Sequence, residues 1–329
     1  MLATVRSLLF VPGHRARFYE KLAEFRPDAV IVDLEDAVPP AEKPLARSMV
    51  RERLGGPLLA GLQVFVRVNA VDTPFFRDDV RGVVAAGLDG IFLPKAGTPE
   101  ELHEANMLLA QAELRLGLAM GTVRIVPIVE SVKGVINAHA LAVASPRVLA
   151  LAFGAEDFSL DLGVERSRDG VETRYPRAQV ALAAHGAGRL AIDTPWTAID
   201  DPDGLRRETT EGRQLGYVAK QAIHPSQIPI IHQVFTPTAD EVAWARRVIA
   251  AYDDAVSAGT GAINLDGKLI DVPMVEHPAA DSPSRTRQIF WAAELTDNVS
   301  ITNRLLQARS SRSGSIDGGR SRYFAMAIS

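Results

Sequence analysis

The sequence predicts an α/β protein, a (β/α)₈ TIM barrel with a C-terminal helix and hairpin extension. Eight short runs rich in Val, Ile, Leu and Ala recur along the chain, and amphipathic stretches separate them. Short apolar runs of this kind are typical of strands that are buried on both faces of a parallel sheet. Eight alternating strand–helix units are the number that closes such a barrel. A doubly wound open sheet is the alternative topology for the same alternation.

The predicted strands and helices follow one another in a regular order. The apolar runs are SLLFVPG, DAVIVDLED, QVFVRVNA, GIFLPKA, RIVPIVES, LALAFGAED, RLAIDTPW and VAKQAIHPSQ. Between the fourth and fifth runs, residues 98–118 repeat Leu and Ala at helical spacing, which predicts an amphipathic helix. We therefore expect a barrel domain over residues 1–236.

The chain beyond the barrel is predicted to form an extension over residues 237–283. Residues 238–258 predict an amphipathic helix, and GTGAINLDGKLIDVPMVEHP predicts a β-hairpin with Asp266-Gly267 as its turn. In the remaining residues, 284–329, a weaker pattern indicates one more helix at 285–308. The last residues are rich in Ser, Gly and Arg, which predicts a flexible tail.

The composition argues against several classes of protein. The net charge is −4 and the pI about 6.0, so no global positive field favours nucleic acid. The chain has no cysteine, which excludes disulfides and thiolate chemistry and is consistent with a cytoplasmic protein. The apolar N-terminal stretch ends at Pro12-Gly13, so it predicts neither a membrane span nor a signal peptide.

Polar residues follow nearly every predicted strand. In barrel enzymes the C-terminal ends of the strands meet at one mouth, and the active site lies there. We therefore expect these polar residues to converge on one site. In chain order they are Gly13, His14, Glu35, Asp36, Arg67, Asn69, Lys95, Glu130, Glu156, Asp157, Asp193 and His224.

Two carboxylates at neighbouring strand ends are the best candidates for metal ligands. Glu130 follows the fifth run and Asp157 follows the sixth. A hard cation such as Mg²⁺ takes one or two protein carboxylates and completes its shell with water and substrate oxygens. Glu156 is a near-equal candidate for the second ligand. The alternative is that either acid pairs with a lysine or caps the following helix.

Arg67, in FVRVNA, is the candidate for stabilising negative charge on a substrate. It points away from the face that its two valine neighbours occupy, because side chains alternate along a strand. A planar guanidinium suits a carboxylate or a developing enolate oxygen. The alternative is a structural ion pair with Glu35 or Asp36. The acidic segment DLED also contains Asp33, which would hold metal-bound waters or pair with a strand-end cation.

A basic cluster lies on the first two predicted helices. Arg15, Arg17 and Lys21 lie on the first, and Lys43 and Arg47 lie at the start of the second. Arg17 and Lys21 are four residues apart and would share a helix face. Cations on two adjacent helices above the mouth could bind phosphates. Solvated surface charge is the alternative.

Nine segments of the chain together resemble the citrate lyase β-subunit-like branch of the HpcH/HpaI aldolase family. They occur in the family's order and cover residues 5–278. They are RSLLFVPG, DAVIVDLEDAV, VRVNAVDT, LPKA, PIVESVKG, GAEDFSLDLG, AIDTPW, AIHPSQI and GKLIDVPMVEHP. The resemblance implies a (β/α)₈ barrel that binds Mg²⁺ and cleaves or forms a C–C bond in a 3-hydroxyacyl-CoA thioester.

The resemblance also assigns roles to individual residues. It implies Glu130 and Asp157 as the metal ligands, and Arg67 as the group that binds the oxo-acid end of the substrate. Asp271 matches a catalytic acid/base that relatives deliver from a neighbouring subunit, which implies a homotrimer or hexamer. Contacts with coenzyme A are implied for Phe10, Arg17, Lys21, Lys43, Arg47, Ile223 and His224. Position 10 is Phe where some relatives have Tyr.

The expected function is therefore that of a CoA-ester lyase. The substrate would be malyl-CoA or citramalyl-CoA, and the products acetyl-CoA and a 2-oxo acid. One alternative is the citryl-thioester lyase (β) subunit of citrate lyase, whose substrate is carried on an acyl carrier protein. A malyl-CoA thioesterase, with water as the nucleophile, is another. A CoA-binding protein without catalysis is the non-enzymatic alternative.

Overall fold

The computed structural model describes residues 5–257, 259–260 and 262–271 of the chain. The helix predicted at 285–308 and the predicted flexible tail lie outside these residues, as does the hairpin segment beyond residue 271. The barrel and the first part of the extension are within them.

The predicted TIM barrel is confirmed. Its strands, in chain order, are β1 Ser7–Pro12, β2 Ala29–Asp33, β3 Gln63–Arg67, β4 Gly90–Leu93, β5 Arg124–Val129, β6 Ala150–Phe153, β7 Leu190–Asp193 and β8 Ala219–Ala222. Each of the eight apolar runs contains one of these strands. All neighbours are parallel, and β8 pairs with β1, so the sheet closes and the open-sheet alternative does not apply.

Helices connect the strands on the outside of the barrel. They are α1 Ala16–Glu20, α2 Leu22–Phe25, α3 Lys43–Arg53, α4 Phe76–Val83, α5 Pro99–Leu116, α6 Val132–Ile136, α7 Ala138–Val143, α8 Ala155–Leu162, α9 Val171–Gly186, α10 Pro202–Leu215 and α11 Ile228–Phe235. Short 3₁₀ turns occur at Pro40–Glu42, Pro57–Leu59 and Pro225–Gln227. Within the described part of the chain, no helix is both long and apolar enough to cross a bilayer.

The predicted amphipathic helix at 98–118 is α5, and its sequence explains both of its ends. Thr98 is the N-cap, and its side chain and that of Glu101 form a reciprocal capping box. Pro99 occupies the first helical position, where its missing N–H has no cost. Gly117 ends the helix in the left-handed conformation with φ of 68°. Local signals alone therefore delimit this helix.

Side chains alternate between the barrel interior and the outer layer along each strand. The interior is a compact apolar cluster that includes Leu8, Ile31, Phe65, Phe92, Val126, Ile128, Ala152 and Ile192. The outward side chains join a larger core between the strands and the helices. This alternation places three charged residues on the interior side at the mouth, each two positions after an inner-cluster residue: Asp33 after Ile31, Arg67 after Phe65 and Glu130 after Ile128.

The extension begins with helix α12 Ala239–Ser257, followed by strands β9 Ala262–Leu265 and β10 Lys268–Asp271. The two strands pair antiparallel around the predicted Asp266-Gly267 turn. Both turn residues have positive φ, 53° and 79°, as a two-residue hairpin turn of this type requires. Ala245 and Val248 of α12 form a small apolar cluster with Leu265 of the hairpin. The predicted helix and hairpin are thus both observed.

A buried ion pair lies beside the N-terminal ends of β5 and β6. Arg147 donates from both terminal nitrogens to the carboxylate of Glu113 at 2.7 and 2.6 Å. The same carboxylate accepts the backbone N–H groups of Gly121 and Val123 at 3.0 and 2.8 Å. Both charged side chains are almost completely buried. Breaking such a pair leaves an uncompensated charge in the core.

We therefore expect Arg147→Met to lower the free energy of unfolding by about 3–5 kcal/mol, because Glu113 would lose its buried cation. Chemical denaturation monitored by circular dichroism measures the change. The matched control is Arg77→Met, which removes a mostly exposed pair with Glu104 and should cost about 1 kcal/mol or less. Similar losses in the two variants would contradict this account.

Candidate active site

Glu130 is a buried carboxylate at the mouth, directly after β5. Its Oε1 accepts the backbone N–H of Lys95 at 2.7 Å. Burial is the main cause that raises the pKa of Glu130, and the negative charge of Asp157 adds to it, giving a value of about 8. Among the described residues, no side-chain cation lies at ion-pair distance from this carboxylate. Glu130 therefore does not pair with a lysine side chain within the described part of the chain, and its charge needs another compensating group.

Asp157 and Glu156 occupy the first turn of α8, but their surroundings differ. Asp157 is half-buried and close enough to Glu130 to raise the pKa of that residue. Glu156 is exposed and lies near Arg166, with Nε to Oε1 at 3.7 Å, and Thr197, at 3.2 Å. Of the two acids that the sequence left open, Asp157 is therefore the one whose charge acts on Glu130, and its role as a metal ligand stays a prediction.

Arg67 is the centre of a charge network with the DLED segment. Its Nε and Nη2 donate to the two oxygens of Asp33 at 2.7 and 2.8 Å. Its Nη1 lies 3.0 Å from Glu35 and 3.4 Å from Asp36. Phe10 covers one face of the guanidinium at 5.0 Å. The ion pair with Glu35 and Asp36 that the sequence offered as an alternative is thus observed, and Asp33 is a further partner.

The acids of this network have opposite pKa shifts. Burial opposes ionisation of Asp33, but the hydrogen bonds and charge of Arg67 hold its pKa below the ordinary value. For Glu35, burial raises the pKa despite the nearby charges of Arg67 and Lys95. Asp33 is therefore a permanent anchor for Arg67. Glu35 is a buried acid that titrates at a higher pH than an ordinary glutamate.

Lys95 bridges the mouth from β4 to β2. Its ammonium group lies 3.2 Å from Oε1 of Glu35, and its side chain is about half exposed. Partial burial alone would lower the pKa of Lys95, but Glu35 raises it. Its backbone has φ of 55°, which is uncommon for a residue with a side chain. Lys95 thus contacts two of the mouth acids, Glu35 by its side chain and Glu130 by its backbone.

The basic cluster divides into two groups. Arg15, Arg17 and Lys21 are exposed, and Lys21 lies at the junction between α1 and α2, so the single first helix predicted by the sequence is two short ones. Lys43 and Arg47 are mostly buried, so for these two the alternative of solvated surface charge is wrong. Only the first group is freely available to a phosphate in this arrangement.

Lys43 and Arg47 belong to a polar network behind the mouth. The ammonium group of Lys43 donates to the carbonyl groups of Leu34 and Glu35 and to the side chain of Asn69, at 2.7, 2.9 and 2.8 Å. Asn69 and Arg47 both bind Asp79, at 2.6 and 2.7 Å. All three donors of Lys43 are used, so this lysine holds the acidic segment in place. Its contact with coenzyme A stays a prediction.

Of the remaining predicted residues, Ile223 and His224 directly follow β8 at the rim, whereas Asp271 lies on the extension. Ile223 and His224 are exposed, and His224 caps the 3₁₀ turn by accepting the backbone N–H of Ser226 at 3.3 Å. Asp271 is the last residue of β10. Asp193, which the sequence placed at the mouth, points outward because it follows the inner residue Ile192. The placement of Asp193 at the mouth was wrong.

Asp193 instead belongs to a buried ion network between the strands and the outer helices. It accepts Nη2 of Arg177 at 2.9 Å and the ammonium group of Lys220 at 3.0 Å. Lys220 also donates to Glu208 at 2.8 Å. Side chains alternate between the inside and the outside of the barrel along a strand. A shift of one position therefore moves a side chain from the mouth to the outer layer, which explains the error.

Gly154 is a site residue that the sequence analysis missed. A Cβ atom at this position would lie 2.5 Å from Oε2 of Glu130 and 2.8 Å from its Cβ. Only glycine leaves room for the Glu130 side chain, since such a contact is far inside van der Waals distance. The signal was a glycine directly between an apolar run and two acids, in the segment FGAED.

The donor set at this point fits a hard divalent cation. Glu130 and Asp157 supply carboxylate oxygens from adjacent strand ends, and the described residues contain no group of three or more metal-ligating side chains, at the mouth or elsewhere. Mg²⁺ is commonly held by one or two carboxylates, with water and substrate oxygens as the other ligands. A buried carboxylate that lacks a cationic partner is the kind of group that such an ion would stabilise.

We expect the stability of the protein to fall as pH rises from about 5 to 9 in the presence of a chelator. The folded state keeps the proton of Glu130 up to a pKa of about 8, while the unfolded state loses it near its ordinary value, so rising pH favours unfolding. Glu130→Gln should weaken this dependence, since only the part due to Glu35 would remain, and should gain at least about 2 °C in Tm relative to wild type at pH 9.

Thermal melts of both proteins across this range measure the effect. Glu156→Gln is the control, because Glu156 is exposed and should leave the pH dependence as in wild type. Parallel curves for wild type and Glu130→Gln would contradict a raised pKa at Glu130.

Similar proteins have been named and solved. The chain is 39% identical over 270 residues to the citrate lyase subunit beta of Leuconostoc mesenteroides subsp. cremoris, covering 82% of this chain and 89% of the relative. It is 31% identical over 290 residues to the L-malyl-CoA/beta-methylmalyl-CoA lyase of Rhodobacter capsulatus, covering 82% and 91%.

One solved structure resembles this protein over most of the length of both chains. It is the protein CitE of Mycobacterium tuberculosis in complex with magnesium, acetoacetate and coenzyme A. The two superpose with a TM-score of 0.70 at 29% identity, covering 89% of this chain and 99% of the other. Residues 6–225 also match the family described as HpcH/HpaI aldolase/citrate lyase. The chain therefore belongs to the HpcH/HpaI aldolase/citrate lyase family.

Proposed function

We propose that this protein is a Mg²⁺-dependent carbon–carbon lyase that cleaves a 3-hydroxyacyl-CoA thioester of the malyl-CoA or citramalyl-CoA type to acetyl-CoA and a 2-oxo acid. The observation that carries the proposal is the buried Glu130 carboxylate, which faces Asp157 at the barrel mouth beside the guanidinium of Arg67. The malyl-CoA lyase and the CoA-bound CitE structure, both similar to this chain, support the choice of a CoA thioester.

Glu130 and Asp157 would hold the metal. When bound, Mg²⁺ supplies Lewis acidity and a template for the oxygens of the oxo-acid part of the substrate. The protein contributes the rigidity of this arrangement, because the Lys95 N–H fixes one oxygen of Glu130 and Gly154 leaves space for the other.

Arg67 would bind the carboxylate of the oxo-acid part. Asp33 anchors two of its nitrogens, so the guanidinium is oriented before the substrate arrives. Its longest contact is with Asp36, at 3.4 Å, and Asp36 is largely exposed. A substrate carboxylate can replace Asp36 at this position and keep Arg67 paired. Fixed positive charge at this point stabilises oxyanion character that develops in the transition state.

In the cleavage direction, the 3-hydroxyl group of the substrate would release its proton to solvent as the C2–C3 bond breaks, which balances the proton that the enolate carbon later takes up. The oxygen becomes the carbonyl oxygen of the 2-oxo acid, and the bonding electrons pass to the thioester as an enolate. Asp271 would protonate the enolate carbon to give acetyl-CoA. This assignment rests on the match of GKLID to the family, and its position at the end of β10 puts it on the extension rather than on the barrel.

Coenzyme A would lie along the exposed cations of the first loop and helix pair. Arg17 and Lys21 are available to its phosphates, and Ile223 and His224 would border the same entrance. Phe10 would act mainly through Arg67, whose face it covers. Lys43 and Arg47 would support this side of the mouth from below.

A second candidate is the citryl-thioester lyase subunit of citrate lyase. The higher identity to a citrate lyase subunit beta, 39% against 31% for the malyl-CoA lyase, favours it. Its substrate would be carried on an acyl carrier protein. Assaying the purified protein with malyl-CoA, citramalyl-CoA and citryl thioesters of CoA and carrier protein separates the two. Release of malate without an oxo acid would identify a thioesterase instead.

The metal site makes a direct prediction. Asp157→Asn should abolish Mg²⁺ binding in a calorimetric titration and lower turnover by at least ~100-fold, because one of two carboxylate ligands loses its charge. Glu156→Gln, one position away and exposed, should remain close to wild type in both measurements. Full activity of the wild type after thorough chelation would refute the proposal.

Arg67→Lys should not be a mild change. Lysine keeps the charge but cannot bind Asp33 with two nitrogens and still reach the substrate. We expect turnover to fall by about tenfold or more in steady-state assays. A denaturation curve of the same variant controls for stability. Near-normal kinetics would show that Arg67 is purely structural.

The extension leads us to propose a homotrimer or hexamer with active sites shared between subunits. Asp271→Ala should bind metal and CoA ester but lack activity. Mixing it with inactive Glu130→Ala should restore part of the activity, because mixed rings contain sites with both groups intact. If mass measurements show subunit exchange and no activity returns, the shared site is wrong.

A further inference from the structure

We propose that Lys95 is a positioning residue for the metal site. Its left-handed backbone directs its own N–H onto Oε1 of Glu130, so that Glu130 would hold the cation mainly through Oε2. This inference rests on the metal site of the proposed function and adds a residue to which neither the sequence motifs nor the family resemblance assigned a role.

The first observation is the backbone conformation. Among the described residues other than glycine, Arg26, Lys95 and Asp266 have positive φ. Arg26 ends α2 and Asp266 lies in the hairpin turn, which are ordinary places for this conformation. Lys95 lies in a turn after β4, directly behind Pro94, at a position where glycine is the usual residue with positive φ. Strained residues of this kind persist where the surrounding structure requires them, often at functional sites.

The second observation is the direction of two consecutive N–H groups. Lys95 donates to Oε1 of Glu130 at 2.7 Å, and Ala96 donates to the carbonyl group of Ile128 at 3.2 Å. Both acceptors belong to the β5 segment. In an extended strand, successive N–H groups point to opposite sides, so two in a row cannot reach the same neighbour. The left-handed turn at Lys95 is what brings both groups to β5.

The third observation concerns the other oxygen of Glu130. Oε2 lies against the backbone of Gly154, where an added Cβ would come within 2.5 Å. Gly154 immediately precedes α8, which carries Asp157 in its first turn. One oxygen of Glu130 therefore accepts a hydrogen bond from Lys95, and the other lies beside the segment that bears the second ligand. This geometry favours one-oxygen coordination by Glu130.

Three substitutions separate the backbone of Lys95 from its side chain. Lys95→Gly removes the ammonium group but accepts the left-handed conformation without strain. Lys95→Val removes the same group, and a β-branched residue strongly resists that conformation. Lys95→Ala also removes the ammonium group, and alanine resists the left-handed conformation more than glycine but less than valine. All three lose the contact with Glu35 equally, so any graded effect comes from the backbone.

The experiment is a calorimetric titration of each variant with Mg²⁺, with no substrate present. We expect Lys95→Gly to bind within about twofold of wild type and Lys95→Val to bind at least about tenfold more weakly, the scale of lost supporting contacts. Arg26→Val is the matched control, because it strains another left-handed residue far from the mouth and should leave Mg²⁺ affinity unchanged.

Wild-type affinity in Lys95→Val would overturn the proposal. An equal loss in Lys95→Gly and Lys95→Val would also overturn it, since the ammonium group would then be responsible. If Lys95→Val does not fold, the expected order is tighter binding by Lys95→Gly than by Lys95→Ala, and the reverse order refutes the idea. Failure of the wild type to bind Mg²⁺ would instead reject the proposed function itself.

Discussion

The burial of the Glu130 carboxylate at the end of β5 is the constraint around which the mouth of the barrel is arranged. From Ile125 to Val129 the strand is apolar and buried, and Glu130, which follows directly, is itself buried and has little access to water. A negative charge there is costly unless something compensates for it. Within the described chain, one backbone N–H contacts it, and the nearby charge of Asp157 makes the cost larger. Two neighbouring features accommodate this carboxylate. Gly154 leaves space for its side chain, and the left-handed backbone of Lys95 provides an N–H donor to it.

The charged residues around the mouth are separated into compartments with different functions. Asp33 and Arg67 form a closely matched pair that orients the guanidinium. Behind it, Lys43 and Asn69 bind the backbone of the acidic segment, so its carboxylates cannot move away from the mouth. On the other side of β7 and β8, a different network is fully buried and points away from the mouth. The barrel wall thus isolates the charges that stabilise the fold from those that are available for chemistry.

The sequence predicted the barrel, α5, α12 and the hairpin because each has a local signal: apolar runs, helical spacing, caps and a turn dipeptide. The sequence also predicted that Glu130, Asp157 and Arg67 lie at one mouth, since the strand ends of a closed barrel converge. It could not tell that Asp193 faces outward, because the facing depends on where β7 begins. Nor could it tell that Lys43 is buried, since the burial of this lysine depends on acceptors in the two loops that follow β2 and β3. The left-handed conformation of Lys95 goes with its contacts to the β5 segment, and a lysine at this position does not by itself predict it.

The most direct test of this account is the position of the bound ion. A crystal grown with Mn²⁺ in place of Mg²⁺ allows the ion to be located by its anomalous scattering. The account predicts one strong peak between Glu130 and Asp157, about 2.0–2.3 Å from a single oxygen of Glu130. A peak beside Glu35 and Asp36, or no peak at the mouth at millimolar Mn²⁺, would contradict it.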